Sequence, residues 1–240
     1  MTSAAGKPVI PSFGEGSECV RGDHAFCWDW VREHWGDTLQ PGLVEHVKLT
    51  LIAVAVGFAI AFALALLAHR FGALEHPIGV GAALLYTIPS LAFFQLLVPV
   101  TGLTTTTVEI PLVAYSLVLL FPNIAAGLRA APPEVLEAAH AMGLRRRQVL
   151  ARVELPLAVP AIVAGLRLAV VSTVAIATIA AFVGEEGLGH PIFLALKEPT
   201  PFRTEIYAAG ALVVALALTL DAALVLLRRA LVPWTRAVRA

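Results

Sequence analysis

Five stretches of this 240-residue chain are long and apolar enough to cross a lipid bilayer, and the polar residues collect between them. Crossing a hydrocarbon core of ~30 Å takes roughly 20 apolar residues in a helix, because unpaired backbone groups cannot face lipid. Thr50 to Ala68 carries no charge. Ile78 to Val100 is interrupted by Pro89 and Pro99, and Val108 to Leu128 contains Pro111 and Pro122. Leu157 to Val183 holds a single charge, Arg167, and Ile206 to Leu227 holds Asp221. The pattern predicts an all-α, polytopic membrane protein with about five transmembrane helices. Pro89 removes a backbone donor in mid-span, so the second helix should kink there and leave a carbonyl free to line a cavity.

Composition agrees: 58% hydrophobic, 14% charged and a mean hydropathy of +0.82 place the chain outside ordinary soluble domains. The formal net charge is zero, so nothing global suggests nucleic-acid binding. The arrangement of Lys and Arg is more telling. Arg70, Arg129, Arg145, Arg146, Arg147, Arg152, Arg228, Arg229, Arg236 and Arg239 fall on one side of the predicted spans, against Lys7, Arg21, Arg32, Lys48, Lys197 and Arg203 on the other. By the positive-inside rule the N-terminus should lie outside and the C-terminus in the cytoplasm, in a cell membrane. The chain then divides into an external tail (1–42), a membrane domain (43–228) with its largest internal loop at 129–156, and an internal tail (229–240).

The external tail lacks the basic start and immediate apolar run of a signal peptide. Within it, Phe26, Trp28, Trp30 and Trp35 stand near helical spacing and predict a short amphipathic helix lying at the interface before the first span. Those rings serve either as an aromatic belt or as a contact for an external partner. Cys19 and Cys27 both lie outside, where a disulfide between them would persist; the other reading is two unpaired thiols. No His or Cys spacing suits a metal, so no metal site or cofactor is expected.

The loop reads RAAPPEVLEAAHAMGLRRRQVLARVELP. Pro132 and Pro133 stop one helix and start another, and Glu134 and Glu137 suit the positive end of its dipole. The helix should run to about Met142, with Gly143 ending it in a left-handed conformation. A second helix should follow, ended or kinked by Pro156. Val135, Leu136, Ala138, Ala139 and Met142 would be presented by the first helix, either to another protein or to the chain's own membrane helices.

Glu137, Ala138 and Ala139, then Gly143, Val153, Leu155 and Pro156, resemble in spacing the EAA signature of permease subunits in ATP-binding-cassette importers. The family usually has Ile where this chain has Val153. Thr87 to Ala92, the following Pro99 and Gly102, and the segment Val183 to Gly189 are similar to permeases for glycine betaine, carnitine and choline. Glu185 and Glu186 are more acidic than that pattern. The resemblance implies a type I importer permease whose first loop helix couples to cytoplasmic ATPase subunits. It also implies an extracytoplasmic solute-binding protein and a second identical or homologous permease subunit. An amino acid is the alternative cargo, and a channel without an ATPase is the alternative class.

Tyr86, Thr87, Pro89, Ser90 and Gln95 supply polarity in the second span and are the candidate translocation pathway, although a kink satisfied locally by hydroxyl back-bonding explains each equally well. Phe93, Phe94 and Tyr115 stand nearby without a spacing that compels a cage. Arg167 and Asp221 are costly inside apolar helices, and a structural pair between them is preferred over a gating contact or a proton relay. The chain has no GxxxxGK[ST] loop, so ATP hydrolysis is expected on a separate subunit and no catalytic residue is assigned here.

Overall fold

The computed structural model describes residues 26–198 and 202–232, and every described element is helical. The elements are α1 (Trp28–Glu33), α2 (Gln40–Arg70), α3 (Glu75–Thr87), α4 (Ser90–Thr101), α5 (Thr105–Leu128), α6 (Pro133–Ala141), α7 (Arg146–Val149), α8 (Leu155–Ile179), α9 (Gly189–Lys197) and α10 (Arg203–Leu231). Four continuous helical runs can cross a bilayer, at Trp35–Arg70, Thr105–Leu128, Arg146–Phe182 and Arg203–Leu231. Counted as one broken span, the bent pair α3–α4 adds a fifth.

Helices α2, α5 and α8 form the core. Lipid gives helices no hydrophobic reason to associate, so close van der Waals approach through small residues does the work. Ala53, Gly57, Ala61, Ala65 and Ala68 recur at three- to four-residue spacing down α2 and form its buried stripe. Ala61, Ala65 and Ala68 pack against Leu120, Phe121, Ile124 and Leu128 of α5 and Ala158 of α8. A Cβ on Gly57 would overlap Ser116 Oγ, and one on Gly165 would lie 2.7 Å from Asn123 Cβ. Ser116 Oγ lies 2.8 Å from the Val113 carbonyl and 3.2 Å from that of Ala53, joining the two backbones.

The second span is broken rather than kinked. Its halves meet at 93° because Ile88 precedes a proline and is extended (φ −74°, ψ 123°), and Pro89 (φ −59°, ψ 133°) then begins α4. Pro99, by contrast, sits inside α4.

Pro156 does not end the loop's second helix, one of the two outcomes expected from the sequence. α7 continues through a π turn, Leu150–Glu154, into α8 as one run, Arg146–Phe182. Proline cannot donate to the carbonyl four residues back, at Arg152, and its ring crowds that position; the widened turn accommodates both. Another π turn, Trp35–Leu39, opens the first span, Trp35–Arg70, and α1 stands just before it as a short separate helix ended at His34. Helix α9 lies in the stretch between the fourth and fifth spans, where no helix was expected.

Candidate functional site

The loop end is built from local bonds. Pro133 takes the first helical position of α6, and the N–H groups of Val135 and Leu136 donate to the Pro132 carbonyl at 3.1 and 3.2 Å. At the other end Gly143 is left-handed (φ +82°). Its N–H donates to the His140 carbonyl at 2.9 Å and that of Leu144 to the Ala139 carbonyl at 3.2 Å, the paired bonds of a Schellman cap. The turn into α7 is closed by the Arg145 N–H donating to Gln148 Oε1 at 2.8 Å.

Glu137, Ala138 and Gly143 are exposed, Ala139 is buried, and Leu155 and Pro156 are half-buried. The apolar residues of α6 therefore divide. Leu136 and Ala139 turn inward against the chain, whereas Val135, Ala138 and Met142 lie along one outward stripe. The roots of the loop are pinned by the Arg129–Glu75 ion pair and by His69 Nε2 at 3.0 Å from Glu154 Oε2.

In mid-bundle the break gathers Tyr86, Thr87, Pro89 and Ser90, with Gln95 exposed further along α4. Thr87 Oγ1 donates to the Leu84 carbonyl at 2.7 Å, a local back-bond. The Ile88 carbonyl accepts a hydrogen bond from the Tyr115 hydroxyl. Edge-on contacts of 6.5 Å to Tyr86 and 6.0 Å to Phe93 surround the Tyr115 ring, so three aromatics meet at the break. Phe94 is fully buried in the core among Leu49, Leu112 and Ala177 and takes no part. Arg167 binds Asp221 through both arms: Nε to Oδ1 at 2.6 Å and Nη2 to Oδ2 at 2.9 Å.

The opposite end contains a clamp that the sequence did not disclose. His46 on α2 is fully buried, with Nε2 3.0 Å from the Val174 carbonyl. The Leu188 N–H donates to Nδ1 at 3.3 Å. An N–H on one side and a carbonyl on the other assign the neutral tautomer with its proton on Nε2. The Gly187 N–H donates to Glu45 Oε2 at 3.1 Å, and Gly187 is itself left-handed (φ +74°). A Cβ there would lie 3.1 Å from His46 Nδ1. The glycine-rich segment is thus held against the first span. Only long-range partners reveal this; along the chain His46 is one of seven scattered histidines.

In the N-terminal region Trp30 stacks on His34 and meets Phe202 edge-on, while Trp28 is exposed. Cys27 is buried and its N–H donates to Thr204 Oγ1 at 3.0 Å. Cys19 lies outside the described residues, and so does the Cys19–Cys27 pairing.

Comparison with known proteins follows the same lines. The family described as binding-protein-dependent transport system inner membrane component matches residues 47–237. The carnitine transport permease protein OpuCB of Listeria monocytogenes is 32% identical over 190 residues, covering 79% of this chain and 86% of that protein. The choline transport system permease protein OpuBB of Bacillus subtilis is also 32% identical over 190 residues, with the same coverage of 79% and 86%. Among solved structures, an inward-facing form of the MetNI methionine ABC transporter aligns with a TM-score of 0.73 at 20% identity, covering 83% of this chain and 98% of that one.

Proposed function

The chain belongs to the family of binding-protein-dependent transport system inner membrane components, and from that premise we propose that it forms one half of the translocation pathway of an ATP-driven importer for a small compatible solute such as glycine betaine, carnitine or choline. It is a multi-pass membrane permease. A second permease copy, identical or homologous, completes the pathway; an external binding protein delivers the solute, and two cytoplasmic ATPase subunits hydrolyse ATP. The N-terminus lies outside and the C-terminus in the cytoplasm. The solute passes the break at Tyr86, Thr87, Pro89, Ser90 and Gln95, while Arg167 and Asp221 fasten α8 to α10 as a structural pair.

The cargo reading is supported by the carnitine and choline permeases among the relatives. Carnitine, choline and glycine betaine share a trimethylammonium head.

The coupling reading rests on one observation. Helix α6 closes its own hydrogen bonds through Gly143 and Leu144 and turns Val135, Ala138 and Met142 outward. It is a self-contained knob suited to a cleft on another protein. Glu137, Ala138, Ala139 and Gly143 shape the knob, and Leu155 and Pro156 join it to the span.

The test is uptake of labelled glycine betaine by osmotically stressed cells that lack their own systems. The cells express this chain with its ATPase and binding protein, with and without Gly143→Pro. Proline can adopt neither the positive φ of Gly143 nor its hydrogen bond. ATP-dependent uptake abolished by the substitution, with the permease still in the membrane, is the expected result. Entry of another solute in place of betaine overturns the cargo, and uptake indifferent to Gly143→Pro overturns the coupling role. In the same complex, Arg167→Ala and Asp221→Ala should be non-additive in thermal stability; strict additivity would remove the structural pair.

A further inference from the structure

At the end of the bundle opposite the loop lies a cavity of about 540 Å³ that neither the pathway nor the coupling helix uses. Its volume falls in the range of small-molecule sites. Glu185, Glu186, His190, Phe182, Phe193 and Lys197 line it, contributed by the segment after α8 and by α9. The start of α5 closes over this segment: Thr105 Oγ1 donates to Glu186, and Glu109 lies near Glu186.

The polar groups of this region are incomplete. Both carboxylate oxygens of Glu109, Oε2 of Glu186 and Nδ1 of His190 are buried with no hydrogen-bond partner among the described residues. No ion pair among the described residues reaches Glu109, Glu185 or Glu186. Buried carboxylates in that state are strongly unfavourable, and a proton or a cation relieves them; Glu186, which unlike Glu109 lines the cavity, is open to a cation held there. The aromatic wall supplies the second half of the argument. Phe182 and Phe193 stand with ring centroids 4.6 Å apart, and the Lys197 ammonium already sits 4.0 Å from the Phe193 centroid. That ring face holds a cation in the resting structure.

We propose that this cavity binds a small organic cation with a quaternary ammonium head, which displaces Lys197 from the Phe193 face and lies between the rings and the carboxylates. A quaternary ammonium donates no hydrogen bond, so charge and ring faces are what recognise it. A metal ion is a poorer fit, since the described residues contain no group of three or more His, Cys, Asp or Glu able to hold one. The identification of the occupant with the transported solute rests on the cargo reading above; the preference for a cation rests on the cavity alone.

The experiment is equilibrium binding of labelled tetramethylammonium to the assembled permease–ATPase complex without its binding protein. Glu186→Gln and Phe193→Ala should weaken binding by about threefold to tenfold, and Lys197→Gln, which removes the internal competitor, should tighten it by about threefold. Phe193→Tyr should retain binding. No binding to the unaltered complex, or an affinity indifferent to Lys197→Gln, overturns the proposal. Lys197 is exposed, so its variant decides the matter even where Phe193→Ala fails to assemble. Betaine and choline uptake measured in parallel separates the two readings. Opposite-signed affinity changes without uptake of either solute keep the cavity and sink the cargo, whereas uptake with unchanged affinities does the reverse.

Discussion

At the end that carries Pro133–Ala141, the hydrogen bonds of the loop helix close within three to five residues, from Gly143 to His140, Leu144 to Ala139 and Arg145 to Gln148. At the opposite end the bonds reach far along the chain: His46 to Val174 spans 128 residues, Gly187 to Glu45 spans 142, and Cys27 to Thr204 spans 177. A piece closed on itself can be displaced as a unit without orphaning a buried group. An end stitched by distant partners cannot, because any local shift leaves an N–H or carbonyl unsatisfied. Stability should therefore concentrate at the stitched end, and sensitivity of transport without loss of stability at the knob.

The largest test of that contrast is His46→Ala. It opens a cavity and strips partners from the Val174 carbonyl and the Leu188 N–H, so it should cost about 3 kcal/mol and lower the thermal unfolding midpoint of the purified complex. A loss under about 1 kcal/mol would mean that the stitching is incidental. Next come two glycines with nearly the same backbone and unlike surroundings. Gly187→Ala combines left-handed strain with a Cβ 3.1 Å from His46 Nδ1 and should cost about 2–3 kcal/mol. Gly143→Ala meets open space, so only the strain of about 1 kcal/mol should remain, yet more ATP should be hydrolysed per solute imported. Equal stability losses at the two glycines would erase the distinction. Smallest in stability is Val135→Asp on the outward stripe, expected within about 0.5 kcal/mol by thermal unfolding but impairing co-purification of the ATPase.

The membrane-spanning architecture was readable because lipid imposes a length and polarity rule on each span. The extent of the spans was less so. Helix α2 begins at Gln40, ten residues before the charge-free run, since Glu45, His46 and Lys48 interrupt the hydropathy without interrupting the helix. What makes His46 tolerable there is supplied from residues 174 and 188, which no local pattern reveals. Pro89 announced an irregularity, but neither the 93° angle nor the Tyr115 hydroxyl that donates to the Ile88 carbonyl there can be read from local sequence. Phe93 and Phe94 are adjacent in sequence, one edge-on to Tyr115 and the other sealed in the core. Helix α9 is nine residues long and amphipathic, too short to stand out from its glycine-rich approach. The two lone charges, Arg167 and Asp221, had no visible distance between them in the sequence; in the fold they lie 2.6 Å apart.

The π turn at Leu150–Glu154 also preserves an azimuth. Such a turn holds one residue more than an α-helical turn, and each residue advances a helix by about 100°. Excising one position there, such as the exposed Ala151, would let the backbone relax to ordinary winding with the Pro133–Val149 arm close to its present bearing, because the wide turn already absorbs the extra residue within one revolution. The wide turn thus shields the bearing of the knob from its own extra amino acid: a codon deleted within it should leave the knob facing its present way, whereas a codon deleted from the regular winding of α8 should turn it by about 100°.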